Sequence, residues 1–176
     1  MQEALFGGGC FWCIEPIYQM LKGVISVESG YSGGDIENPS YEEVSEGNTG
    51  HVEVIKIIFD ENIISFRKLL EVFFTIHDPT TLNRQGNDAG TQYKSAIFYK
   101  DDSQKNESLD LIKRLDNSGI YNTKIVTEVA LFKNFYKAEN YHQDYYNKNK
   151  TYPYCSLIIS SKIEKFKNRF KELLKN

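Results

Sequence analysis

Residues 4–23 read Ala4-Leu5-Phe6-Gly7-Gly8-Gly9-Cys10-Phe11-Trp12-Cys13-Ile14-Glu15-Pro16-Ile17-Tyr18-Gln19-Met20-Leu21-Lys22-Gly23, and this stretch sets the architecture. Ala4-Leu5-Phe6 is short and apolar, and three glycines break it, the pattern of a short strand ending in a tight turn. Beyond them Ile14, Ile17, Tyr18 and Leu21 recur at helical spacing, so Glu15 to Leu21 is expected to be helical, with Gly23 ending it. Pro16 fits only in a first turn, where its missing amide proton costs nothing. The unit is strand, turn, helix, with Cys10 standing where the helix begins.

Working outward, Val24 to Tyr31 reads as a strand closed by Gly30 and Gly33-Gly34, and Asp35 to Gly50 as a turn-rich stretch. His51 to Phe59, dense in Val and Ile, reads as the next strand. Ser65 is an expected N-cap for a helix with Phe66, Leu69, Leu70, Phe73 and Phe74 on one face, ended by Asp78-Pro79. Thr80 to Gln92 is a polar loop and Tyr93 to Tyr99 a strand. The order to that point is β-α-β-β-α-β, that of a ferredoxin-like unit. Ser103 to Ser118 predicts a helix with Leu109, Ile112 and Leu115 inward and Gly119 as its stop. Ile125 to Phe132 alternates like a strand, and Ala138 to Asn149 is expected to be helical. Pro153 falls in an irregular segment. Ser161-Lys162-Ile163-Glu164 fits a capping box before a last helix whose stripe is Ile163, Phe166, Phe170 and Leu173. The expected fold is α+β: a two-layer sandwich with a ferredoxin-like core, added helices and an irregular C-terminal tail, in one domain spanning 1–176.

The 176 residues suit one domain at about 100–200 residues each, and 40% hydrophobic with 14% aromatic content is globular and not disordered. The net charge of −3 argues against a nucleic-acid binder. Six basic residues (Lys162, Lys165, Lys167, Arg169, Lys171, Lys175) against Glu164 and Glu172 make the last helix basic, which we read as a solvated face. No apolar run is long enough for a membrane span, and Met1 to Phe6 lacks the basic segment and apolar core of a secretory signal. A monomeric, cytoplasmic protein is expected. Thiols stay reduced in that compartment, and cysteines there serve catalysis, redox or metal binding more often than stapling. The three cysteines cannot close a disulfide framework.

Cys10 is the first candidate for chemistry. Free amides and the dipole at a helix start stabilise an anion, so its thiol is expected to have a lowered pKa. Cys10-Phe11-Trp12-Cys13 leaves three readings open. It is a thioredoxin-like dithiol, or half of a zinc site completed by Cys155 and one of His51, His77 or His142, or a catalytic Cys10 with a separate Cys13. Phe11 and Trp12 would form an apolar wall beside the nucleophile, unless both are ordinary core. Glu53 is an acid among Val52, Val54 and Ile55. Buried, it would have a raised pKa and could serve as a neutral proton donor. The loop Arg84-Gln85-Gly86-Asn87-Asp88 is dense in hydrogen-bonding groups but lacks the Lys-Ser/Thr of a phosphate loop. Cys155 sits in a tyrosine- and proline-containing stretch that we expect to be mobile, suited to meet a sulfur oxidised elsewhere.

These residues resemble the A-type peptide methionine sulfoxide reductases. The resemblance rests on Gly9-Cys10-Phe11-Trp12 with Glu15, Gly30-Tyr31-Ser32-Gly33-Gly34, Asn38-Pro39-Ser40-Tyr41, Thr49-Gly50-His51-Val52-Glu53, His77-Asp78-Pro79, Arg84 to Asp88, Gly90 to Ile97 and Ala138 to Gln143. It implies thiol-dependent reduction of the S epimer of methionine sulfoxide, a protein-repair reaction with no metal or organic cofactor. By resemblance Cys10 attacks the sulfoxide sulfur, and Phe11 and Trp12 hold the substrate methyl group. Glu53 protonates the oxygen, Tyr41 and Tyr93 hydrogen-bond it, and Asp88 helps bind substrate. The resulting sulfenic acid would be resolved by Cys155, with Cys13 as a second possibility, and the disulfide reopened by thioredoxin or a similar dithiol. Two rival functions remain at this level, a general thiol-disulfide oxidoreductase using Cys10 and Cys13, and a zinc-stabilised binding module.

Overall fold

The computed structural model describes residues 1–176. Its elements, in chain order, are β1 (Gln2–Gly7), α1 (Phe11–Gln19), β2 (Val24–Ser32), α2 (Tyr41–Ser45), β3 (Val52–Phe59), α3 (Phe66–Ile76), β4 (Arg84–Gln85), β5 (Asp88–Ala89), β6 (Ala96–Tyr99), α4 (Asp102–Ser118), β7 (Glu128–Leu131), β8 (Tyr136–Lys137), α5 (Tyr145–Lys148) and α6 (Ser160–Arg169). Six strands form one sheet in the order β7-β6-β1-β3-β2-β8, antiparallel except for the parallel pair β6–β7. The fold is mixed α/β with a mostly antiparallel sheet.

Side-chain alternation divides the sheet into two faces. Ala4 and Phe6 of β1 and Ile55, Ile57 and Phe59 of β3 enter the large core beneath the helices. Leu5, Val52 and Val54 point the other way, into a small cluster with Ala96 and Phe98 that Phe132 and Phe135 cover. Phe6 lies 5.0 Å from Phe73 of α3 and 5.9 Å from Tyr18 of α1, ring centre to ring centre. The Tyr18 hydroxyl donates to the Leu69 carbonyl, tying the two helices together. Ser65 caps α3 as expected, accepting from the Lys68 amide. At the other end of α3, the buried His77 accepts through Nε2 from Ser95 at 2.7 Å, and Ser95 meets Thr127 at 2.8 Å, which links α3 to the starts of β6 and β7. No helix is long and apolar enough to cross a membrane.

Several expectations are corrected. Helix α1 begins at Phe11, not Glu15, so Pro16 lies in its second turn and one intrahelical hydrogen bond is forgone. The stretch 35–50 contains α2, held by a capping box between Ser40 and Glu43. The loop 80–92 contains the small hairpin β4–β5. On α4 Ile112 and Leu115 pack against the core as expected, but they are joined by Leu111, 6% exposed, and not by Leu109, 46% exposed. The expected helix 138–149 is broken at Asp144, whose φ of 55° is left-handed. The irregular tail is not irregular. A single π-helical turn, Cys155–Ile159, runs directly into α6, so Ser161 and Glu164 lie inside the helix and form no capping box. The reason is packing: the stripe Ile163, Phe166 and Phe170 extends back at four-residue steps through Ile159 to Cys155, all of them buried.

The two leucines of α4 give a direct check by urea unfolding. Leu111→Ala is expected to cost about 2–5 kcal/mol and Leu109→Ala no more than about 0.5 kcal/mol. Equal losses would return the inward face to the one read from the sequence.

Candidate active site

The glycine turn delivers Cys10. Gly9 has φ +89°, and a Cβ there would lie 2.7 Å from the Gln85 side chain, so only glycine fits. Cys10 then takes the N-cap of α1 with an extended backbone, its carbonyl accepting from the Cys13 amide at 3.0 Å. The side chain that caps this helix comes from elsewhere: the Phe11 amide donates to Glu53 Oε2 at 3.0 Å. Glu53 lies on β3 opposite Tyr31 of β2, on the same face as Ile55, and is 1% exposed. Burial pushes its carboxyl up to about 8, with Asp88 and Cys13 adding and the Phe11 amide pulling back. At pH 7 it is mainly a neutral acid.

Cys10 departs from expectation. Burial pushes its thiol well above the ordinary range, with Cys13 and Glu53 adding to the effect, and the Trp12 amide offsets only part of it. The helix start does offer amides, but Glu53 takes the one on Phe11 and the thiol sits in dry surroundings. The Cys13 thiol is drawn down, foremost by its hydrogen bond with Cys10, against burial and with help from Lys162 and Tyr154. The two thiols thus titrate as one pair. Cys155 is fully buried in the π turn rather than in a mobile stretch, and burial followed by the nearby Cys13 raises its pKa.

Aromatic groups enclose the pair. Phe11 is fully buried against Tyr31 and His142. Trp12 is half-buried and stacks on Tyr145 at 3.8 Å and 9°. Its Nε1 donates to His142 Nδ1 at 3.0 Å, which assigns the proton of that ring to Nε2, a buried atom without a partner. Tyr41 and Tyr93 are half-buried. Burial and then Glu53 raise both phenols, and Cys10 and Asp88 bear on both as well, so these five groups share one electrostatic neighbourhood. Asp88 Oδ2 accepts from the Tyr154 hydroxyl at 3.1 Å.

Residues without an assigned role in the sequence analysis hold the site in shape. Glu139 accepts from the Tyr31 hydroxyl at 3.0 Å and the Tyr41 amide at 3.2 Å, fixing α2 beside the sheet. Both oxygens of the buried Glu15 accept from the Asp144 amide at 3.1 Å, which seats Tyr145 over Trp12. Gln143 accepts from the Ser29 amide and donates to the Ser29 carbonyl, stitching the same segment to β2. The Ser40–Glu43 spacing was a readable signal for α2, whereas the contacts of His142, Tyr145 and Tyr154 had no local signal.

The zinc reading does not fit these positions. His51 accepts at Nδ1 from the Gly34 amide and faces the Ile36 carbonyl, His77 is tied to Ser95 and His142 to Trp12. No three His, Cys, Asp or Glu side chains converge as metal ligands. What does converge is a thiol pair, a neutral carboxylic acid and two neutral phenols. Such a set can attack an atom with sulfur while protonating an oxygen that leaves it.

The family model described as peptide methionine sulfoxide reductase matches residues 2–174. Peptide methionine sulfoxide reductase MsrA of Saccharolobus solfataricus is 52% identical over 175 residues, covering 99% of this chain and 98% of the relative. Mxr1 from Saccharomyces cerevisiae in its reduced form is 34% identical, covers 88% of each chain and superposes with a TM-score of 0.82. Mxr1 in complex with Trx2 is 25% identical, covers 82% of this chain and 84% of the other, and gives a TM-score of 0.59. With a carboxylic acid and phenols gathered around one buried thiol pair, and with this likeness along its whole length, the chain is an oxidoreductase belonging to the peptide methionine sulfoxide reductase family.

Proposed function

We propose that the chain reduces the S epimer of methionine sulfoxide, free or in proteins, with Cys10 as nucleophile and Glu53 as acid. The carrying observation is the neutral, buried Glu53 carboxyl bonded to the first amide of the helix that Cys10 begins. Cys10 sulfur attacks the sulfoxide sulfur while Glu53 gives a proton to the oxygen, and Tyr41 and Tyr93 donate to that oxygen as charge develops. The oxygen passes to Cys10 as a sulfenic acid, the proton that the Cys10 thiol gives up returns Glu53 to its neutral form, and methionine departs. Phe11 and Trp12 provide the apolar wall for the methyl group, and Asp88 contributes to substrate binding beside them.

For recycling we favour a relay that ends on Cys155. Cys13, one helical turn from Cys10 and interacting with its thiol, takes up the sulfenic sulfur first, and Cys155 then attacks Cys13. The proximity of Cys155 to Cys13 supports that order. A thioredoxin-type dithiol reopens the final bond, by analogy with the Trx2 complex of Mxr1. The strand order β6-β1-β3-β2, antiparallel and with α1 and α3 as its connections, supports reading the centre as a ferredoxin-like unit. We treat 1–176 as one domain, because the large core draws on residues from Ala4 to Phe170.

Three outcomes follow. With dithiothreitol as reductant, Cys10→Ser abolishes methionine formation from the S epimer, while Cys13→Ser and Cys155→Ser each retain it; a need for Cys13 under these conditions overturns the assignment in favour of a general dithiol oxidoreductase. Glu53→Gln slows the single-turnover reductive step by about 10²–10⁴-fold. The parent rate falls as pH rises through about 8, where Glu53 loses its proton, and an unchanged rate and profile in the variant removes Glu53 from the step. After one turnover without reductant, mass spectrometry finds a Cys13–Cys155 disulfide in the parent and Cys10–Cys13 in Cys155→Ser. Cys10–Cys155 as the sole parent product contradicts the relay.

A further inference from the structure

The half-buried hydroxyl of Tyr154 stands between two groups that the reductive step does not connect. It lies 3.4 Å from Cys13 Sγ and donates to Asp88 Oδ2 at 3.1 Å. A phenol has one proton, and since Asp88 receives it, the oxygen is left to accept from the Cys13 thiol. The ring is fixed edge-on to Trp12, centroids 6.3 Å apart at 75°, so this geometry is held by packing. We propose that Cys13, Tyr154 and Asp88 form a proton relay that activates Cys13 as the thiol attacking the Cys10 sulfenic acid, with Tyr154 as its positioning residue. The proposal rests on the sulfoxide reductase reading and goes beyond it, since that reading gives Tyr154 no part.

The step balances. The Cys13 sulfur forms a bond to the Cys10 sulfur as the Cys10 S–O bond breaks, so Cys13 is oxidised and Cys10 reduced. The Cys13 proton moves to the Tyr154 oxygen and the Tyr154 proton to Asp88. The departing hydroxide takes the proton of Glu53 and leaves as water, and the charge lost at Asp88 reappears on Glu53. Tyr154 itself stays a neutral phenol, held there foremost by burial and by the neighbouring thiols. The groups that bear on Cys13 are Cys10, Glu53, Asp88, Tyr154, Cys155 and Lys162 of α6. Of these Tyr154 touches both the thiol and the Asp88 carboxylate, as Cys10 touches both the thiol and Glu53.

The test uses the full chain with Cys155→Ser, so that only Cys13 can answer Cys10, with and without Tyr154→Phe. One equivalent of the S epimer of methionine sulfoxide is added without reductant. Methionine and the Cys10–Cys13 disulfide are followed in time from pH 6 to 9. The expected result is an unchanged methionine burst, a disulfide step slowed about tenfold at pH 7, and a midpoint for that step moved to higher pH. As a second readout, in Cys10→Ser/Cys155→Ser, the alkylation of Cys13 by iodoacetamide moves to higher pH when Tyr154→Phe is added. A normal burst with the same disulfide rate and pH profile in both chains overturns the relay alone. No burst in the Cys155→Ser chain overturns the sulfoxide reductase reading and the relay with it.

Discussion

The site depends on one buried hydrogen bond, from the Phe11 amide at the start of α1 to Glu53 near the start of β3. An amide at a helix start lacks an intrahelical acceptor, and a buried carboxyl lacks water; each supplies what the other is missing. The bond therefore fixes where α1 begins relative to the sheet and thus where Cys10 stands. It also decides the chemistry of both partners. Glu53 receives one amide, too little to keep a carboxylate charged in a dry core, so it holds a proton near neutrality. Cys10 loses that amide to Glu53, and its thiol is not the ready anion that a helix start alone would make.

That trade suits the reaction. A free thiolate beside a free carboxylate would repel it and would have no proton to give. On the proposed mechanism a thiol beside a neutral acid holds both protons until a sulfoxide oxygen arrives to take one. Cys13, drawn toward the anionic form by Cys10, Lys162 and Tyr154, is then the group suited to the second step rather than the first. On the proposed relay the three thiols divide the work by surroundings, although their side chains are chemically the same.

Much of this was legible in the sequence because it is local. The glycine turn, Cys10, the α3 stripe and the acid in an apolar strand each declare themselves within a few residues, and Glu53 shares the helix-facing side of β3 with Ile55 and Ile57 by strand alternation. The Ser40–Glu43 box stands among turn residues that mask it. In the tail Pro153 and the tyrosines suggest looseness. The recurrence of Cys155, Ile159, Ile163 and Phe166 at steps of four, four and three carries the helical signal, which the widened π turn does not interrupt. Contacts such as Trp12 with Tyr145 and His142, or Tyr154 with Asp88, join segments more than sixty residues apart. No spacing rule reaches them; they follow from Glu15, Glu139 and Gln143 fastening the C-terminal segment to α1 and β2.

The protonation state of Glu53 in the resting protein tests this account most directly. It is read from the carboxylic C=O stretch in infrared difference spectra between the parent chain and Glu53→Gln across pH. The account predicts a protonated carboxyl at pH 7 that titrates near 8. A carboxylate already ionised at pH 7, titrating in the ordinary range near 4.5, would contradict it.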